Sequence, residues 1–183
     1  MNAALYLPTR VGLDALAEVG HVDWSTLHHA YGQGVVGTGL SGDVARALAL
    51  LGDDPERALN DGLWSNICHQ GTVYEATAYA LPFIAAVAAG DVSADIRSAL
   101  STLLGDIAIN GSYVAPGASD SGSWDKGVNT LIQQTLTRCD PFLDSIEKVD
   151  RKSGPLVAAI RLLAADPSDE NREKVDDIIV PKA

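Results

Sequence analysis

Apolar residues recur at spacings of three and four along most of the chain, as in Ile96, Leu100, Leu103, Leu104 and Ile107, and again in Val128, Leu131, Ile132, Leu136 and Cys139. That spacing lays them along one stripe of a helix. Strict alternation over more than four positions is missing, as are β-branched and aromatic runs between turn signals, so the pattern predicts an all-α fold. Helices are expected over 23–30, 42–51, 55–61, 63–70, 73–89, 94–110, 126–138, 141–150, 155–165 and 168–179. Asp-Pro occurs at Asp54-Pro55, Asp140-Pro141 and Asp166-Pro167. In each pair the carboxylate can cap orphan amides while Pro takes the first helical position, where its missing N–H costs nothing, so each pair reads as a helix start. Pro82 falls inside the 73–89 run, where it removes one helical hydrogen bond and crowds the Ala78 carbonyl. A kink or restart is expected there.

Ala47 to Pro55 lines up without a gap with Ala159 to Pro167, both containing Leu-Leu-x-x-Asp-Pro. Helices joined by short turns, none able to bury its stripe alone, stack into a continuous core. The expectation is therefore a right-handed α-α superhelix, a HEAT/armadillo-like solenoid of about ten helices in a single domain over residues 1–183. An ordinary helical bundle accommodates the same periodicity. A Gly/Ser-rich loop at 111–127, carrying Tyr113 and Trp124, interrupts the pattern, and Trp124 is expected near the start of the next helix.

With 46% apolar residues in 183, the chain can bury a core without metals or disulfides. Acids outnumber bases 24 to 13, a net charge of −11, which argues against a nucleic-acid partner. Cys68 and Cys139 form no CxxC, so they build neither a disulfide framework nor a zinc knuckle, and a reducing cytoplasm fits. Met1 to Arg10 lacks a leader pattern, and the longest apolar run, Ala76 to Ala89, is too short to cross a bilayer. No membrane partner and no cofactor are expected.

Gly32 to Gly37 matches GxGxxG, but with a helix rather than a strand expected before it, a flexible linker is the better reading. Ser41, in Gly39-Leu40-Ser41-Gly42-Asp43, is not a nucleophile elbow. Chemistry-bearing residues concentrate between Trp64 and Ala78. Gly71 can close one helix there and Thr72 can cap the next, with Glu75 returning to the Thr72 amide as a capping box of about 1 kcal/mol. That accounts for Thr72 and Glu75 without a ligand. His69, Gln70 and Tyr74 would gather at the same corner and could line a small polar site.

On a helix from Asp23, Trp24, Leu27, His28 and Tyr31 share one stripe and His29 turns about 100° away. A half-buried, hydrogen-bonded His28 is expected in preference to a metal ligand. A metal would need His28 or His29 together with His69 and Glu75, and no HxxxH or HExxH spacing announces one. Between Arg57 and Arg97 there is no Lys or Arg, while Asp61, Glu75, Asp91 and Asp95 are present. Such a corner attracts a cation or a basic protein surface, although solvated acidic helix faces give the same composition.

His28-His29-Ala30-Tyr31-Gly32, followed by the run from Ile67 through His69-Gln70-Gly71-Thr72-Val73-Tyr74-Glu75-Ala76-Thr77 to Pro82-Phe83, resembles a set of bacterial HEAT-repeat-like proteins that carry HAYG, HQGTVYEAT and a PF dipeptide at this separation. The resemblance implies an armadillo-type superhelix and a small binding module, and some similar helical-repeat proteins act as immunity proteins that neutralise a toxin. It covers residues 23–90 and is only general beyond them. The resulting expectation is a non-catalytic module that binds a basic protein through His28, Tyr31, His69, Gln70, Tyr74 and Glu75. The alternative is an enzyme or metal-binding protein using His69, Tyr74, Glu75 and His28.

Overall fold

In the computed structural model, which describes residues 5–112 and 126–179, the apolar stripes become helix wherever the three-and-four spacing is sustained. The described α-helices are α1 (Val44–Leu50), α2 (Pro55–Arg57), α3 (Trp64–Ile67), α4 (Glu75–Ala89), α5 (Ala94–Ser112), α6 (Lys126–Arg138), α7 (Asp140–Val149), α8 (Gly154–Ala165) and α9 (Asp169–Ile179). The fold is mostly helical, with two antiparallel hairpins added: β1 (His28–His29) with β2 (Gly32–Gln33), and β3 (Cys68–His69) with β4 (Thr72–Val73). Strands of two residues hold too few positions to show an alternation, which is why helices were expected over 23–30 and 63–70 instead. Of the loop expected at 111–127, residues 111–112 belong to α5 and 126–127 to α6; the remainder, with Tyr113 and Trp124, lies outside the described residues. Among those described, no helix is long and apolar enough to cross a membrane.

α4 is the shared core. Every residue from Ala76 to Ala89 is buried, and the helix touches α1, α5, α6, α7 and an N-terminal 3-10 helix, Gly12–His21. Seven of those positions are alanine, whose small side chain lets neighbouring helices come close. Phe83 fills the space that remains, with Tyr6 stacked at 6.1 Å and Trp24 tilted at 6.3 Å between ring centroids. α4 runs through Pro82 and on to Ala89, so the expected restart does not occur. At its end, Gly90 presses on Gly12 so closely that a Cβ on Gly90 would stand 2.1 Å from the Gly12 nitrogen. Arg97 of α5 is buried and caps the same end, its Nε donating to the Ala88 carbonyl at 3.0 Å and its Nη2 to those of Gly90 (2.8 Å) and Val92 (3.2 Å).

The 3-10 helix Gly12–His21 escaped the periodicity reading. Gly12, Ala15 and Glu18 are buried at every third position, as three residues per turn require, but one of the three is a carboxylate. Glu18 accepts from the Tyr6 hydroxyl at 2.5 Å, the Thr9 N–H at 2.9 Å and the Thr9 hydroxyl at 2.8 Å. Chiefly through the Tyr6 bond, its carboxyl is held down at about 2.

The Asp-Pro pairs take three different roles. Asp54 caps α2 as expected, accepting from the Arg57 N–H at 3.2 Å. Asp140 is instead the first residue of α7 and bonds Arg161 of α8, which also holds Asp144 and Glu147 on the same α7 face. In the third pair Asp166 accepts from the Asn171 side chain, while Ser168 Oγ receives the Asn171 N–H.

Candidate functional site

Asp23 Oδ1 accepts from both the N–H and the hydroxyl of Ser25, which folds Trp24–Thr26 into one 3-10 turn. Leu27 then turns extended and β1 begins, so His28 is not on a helix. Side chains alternate across a strand, and this reverses the two histidines. His28 is exposed, contrary to its expected half-burial, while His29 is 5% exposed. The His29 ring sits with Nε2 2.6 Å from the Gly34 carbonyl and Nδ1 accepting the Tyr31 N–H at 3.2 Å, which assigns the Nε2–H tautomer.

The second hairpin has both central residues left-handed, Gln70 at φ 51° and Gly71 at φ 76°, the type I′ arrangement that matches strand twist. Gly71 also backs onto α5, where a Cβ would meet Asn110 Oδ1 at 3.3 Å. Because Thr72 pairs with His69 in the hairpin, it does not cap α4. The expected Thr72–Glu75 box is replaced by one two residues further on: the Tyr74 N–H donates to Thr77 Oγ1 at 2.8 Å, and the Thr77 hydroxyl donates to the Ile67 carbonyl at 2.6 Å. Glu75 is the first residue of α4, where its charge acts on Tyr79.

Asn66, absent from the sequence candidates, joins the hairpins. Its carbonyl accepts the Ala30 N–H at 3.0 Å, its Nδ2 donates to the Leu40 carbonyl at 2.7 Å, and its Oδ1 accepts the Gly42 N–H at 2.5 Å. An amide inside an expected apolar helix was the available signal, and it gave no hint of partners 24 and 26 positions away.

This bracing brings Tyr31 to His69, with ring centroids 5.9 Å apart and planes at 56°. Tyr74 is half-buried nearby, and burial raises its phenol above the usual range, with further contributions from Cys68 and Tyr31. Gln70 occupies the exposed tip. Beneath the rings, burial above all, with Asp106 adding to it, pushes the Cys68 thiol up to about 12. Such a thiol is no nucleophile. Asp106 of α5 accepts from Trp64 Nε1 at 3.3 Å, and partial burial raises its carboxyl. Of the six sequence candidates the structure thus brings Tyr31 against His69, leaves Tyr74 half-buried nearby, sets Gln70 at the exposed tip of the second hairpin and Glu75 at the start of α4, and leaves His28 exposed on β1. Among the described residues no three of His, Cys, Asp and Glu converge as a metal site.

On the other side of the 34–43 loop lies an open cleft of about 300 Å³, lined by Gly39, Leu40, Ser41, Arg57, Asp61 and Ser65. Its wall is a π-helical stretch, Ala58–Leu63. The Ser41 and Ser65 hydroxyls donate to the Asp61 and Asn60 carbonyls, and no His lines the cleft, so the parts of a serine hydrolase are not assembled there.

Charge is distributed unevenly. Residues 11–45, 58–96 and 98–125 contain no Lys or Arg, and the first 125 residues hold four such cations against fourteen carboxylates, −10 of the net −11. Both hairpins and the α5 face behind them fall in these stretches. Compared with family models, curated proteins and solved structures, the chain matches none.

Proposed function

We propose that this chain is a non-catalytic helical-repeat module that binds a basic protein, in the manner of an immunity or antitoxin-type protein, in a reducing cytoplasm. The carrying observation is the aromatic corner of Tyr31, His69 and Tyr74, built entirely from stretches without a cation. A surface of that kind favours a positively charged partner through both approach rate and register. The HAYG and HQGTVYEAT motifs support a HEAT/armadillo-like, right-handed arrangement, as does the succession of helices from α4 to α9, joined by short connections at four of their five junctions. An open array leaves one face of each layer free, whereas α4 is enclosed, so the proposed array is short and wrapped on itself.

Partner capture from the source organism, followed by reconstitution with the purified partner over a salt series, tests this. A basic protein whose affinity falls steeply as salt rises is the expected result. An acidic, salt-insensitive partner, or turnover of a substrate by the purified chain, overturns it.

A further inference from the structure

We infer that the corner formed by Tyr31, His69 and Tyr74 is a seat for a guanidinium group, an arginine side chain offered by a basic protein segment. The inference rests on the basic-partner reading and adds the chemical group recognised.

Tyr31 is a large ring left 43% exposed at the tip of a turn. Its backbone is nevertheless held, since its own N–H is bonded to His29 Nδ1 and the preceding N–H to the Asn66 carbonyl. An exposed ring on a braced turn loses little freedom on binding. Tyr31 and His69, 5.9 Å apart at 56°, form an open wedge rather than a closed stack. A planar cation can lie on the free face of such a ring, gaining from its quadrupole. Arginine fits this geometry better than lysine: the guanidinium is flat and weakly hydrated, while the ammonium is compact, strongly hydrated and better served by an enclosing cage. Gln70 at the exposed tip supplies an amide carbonyl that can accept a guanidinium N–H. The segments that build the corner carry the matching sign of charge. No Lys or Arg occurs in 11–45 or 58–96, which supply the two hairpins, or in residues 98–112 of α5 behind them, whereas Glu75 follows Tyr74 directly and Asp106 lies beside Cys68.

The test titrates the full chain at low salt with a peptide alternating Arg and Gly, and with the same peptide carrying Lys or citrulline in place of Arg, reading affinity together with the ring resonances of Tyr31 and His69. Saturable binding of the Arg peptide is expected, weaker binding of the Lys peptide, and none of the neutral citrulline peptide. Tyr31→Ala, which keeps both backbone bonds, should weaken Arg binding about three- to tenfold, and Tyr31→Phe should restore it because the ring face is retained. Circular dichroism and melting of both variants confirm that they remain folded. Cationic peptides that bind with unchanged affinity to Tyr31→Ala, or Lys binding equal to Arg, would overturn the guanidinium seat while leaving the basic-partner reading in place. Absence of binding by both cationic peptides would count against the reading as well as the seat.

Discussion

Glu18 shows how a single polar side chain can be a core residue. Its carboxyl lies at about 2 rather than 4.5, so the native state binds its proton less readily than the unfolded chain. The stabilisation is complete above pH 4.5 and is lost as pH falls from there towards 2. Thermal melts between pH 2 and 7 should show Glu18→Gln less stable than the parent at neutral pH, with the two curves converging at the acid end; parallel curves would remove Glu18 as the cause. Cys68 makes the opposite case. With its thiol pushed up to about 12, it should react with a disulfide reagent at pH 8 only at the rate of local or global opening, and rapidly once the chain is unfolded in urea. His28 and His29 carry a further lesson. Both were visible as candidates, but which one is buried depends on strand alternation, and β1 is only two residues long.

Helix ends, more than helix bodies, are where distant residues decide the outcome. α4 begins with Thr77 reaching back to the last carbonyl of α3 and ends with Arg97 reaching back from α5. Replacing Arg97 by Met keeps much of its bulk but strands the Ala88 and Gly90 carbonyls, and should cost about 2–4 kcal/mol in urea unfolding. Asn66→Ala leaves the Leu40 carbonyl and the Gly42 N–H unpaired in a buried place, with an expected loss of about 2–3 kcal/mol by the same measurement. A loss below about 0.5 kcal/mol for either variant would mean that water takes over these bonds. The Asp-Pro pairs illustrate the same point. All three lie near helix starts, yet only Asp54 caps by the route its local sequence suggests, because Arg161 and Asn171 compete for the other two carboxylates.

α4 contacts helices from both halves of the chain, so its loss cannot be local. Phe83→Ala should remove about 3–5 kcal/mol, since Tyr6 and Trp24 both pack on that ring. The change should appear as one transition, with tryptophan fluorescence and far-ultraviolet dichroism superimposing; separated transitions would show that α4 does not unite the fold. Periodicity is a local property, so the run of helices from α4 to α9 was legible without coordinates, as was the stretch between Arg57 and Arg97 that holds no Lys or Arg. Tertiary packing alone decided that Glu18, His29 and Asn66 are buried, that two tight hairpins interrupt the helices, and that Tyr31 meets His69. Burying a polar group is favourable only when its partners arrive with it, and for the Asn66 side chain those partners lie 24 and 26 positions away in the chain.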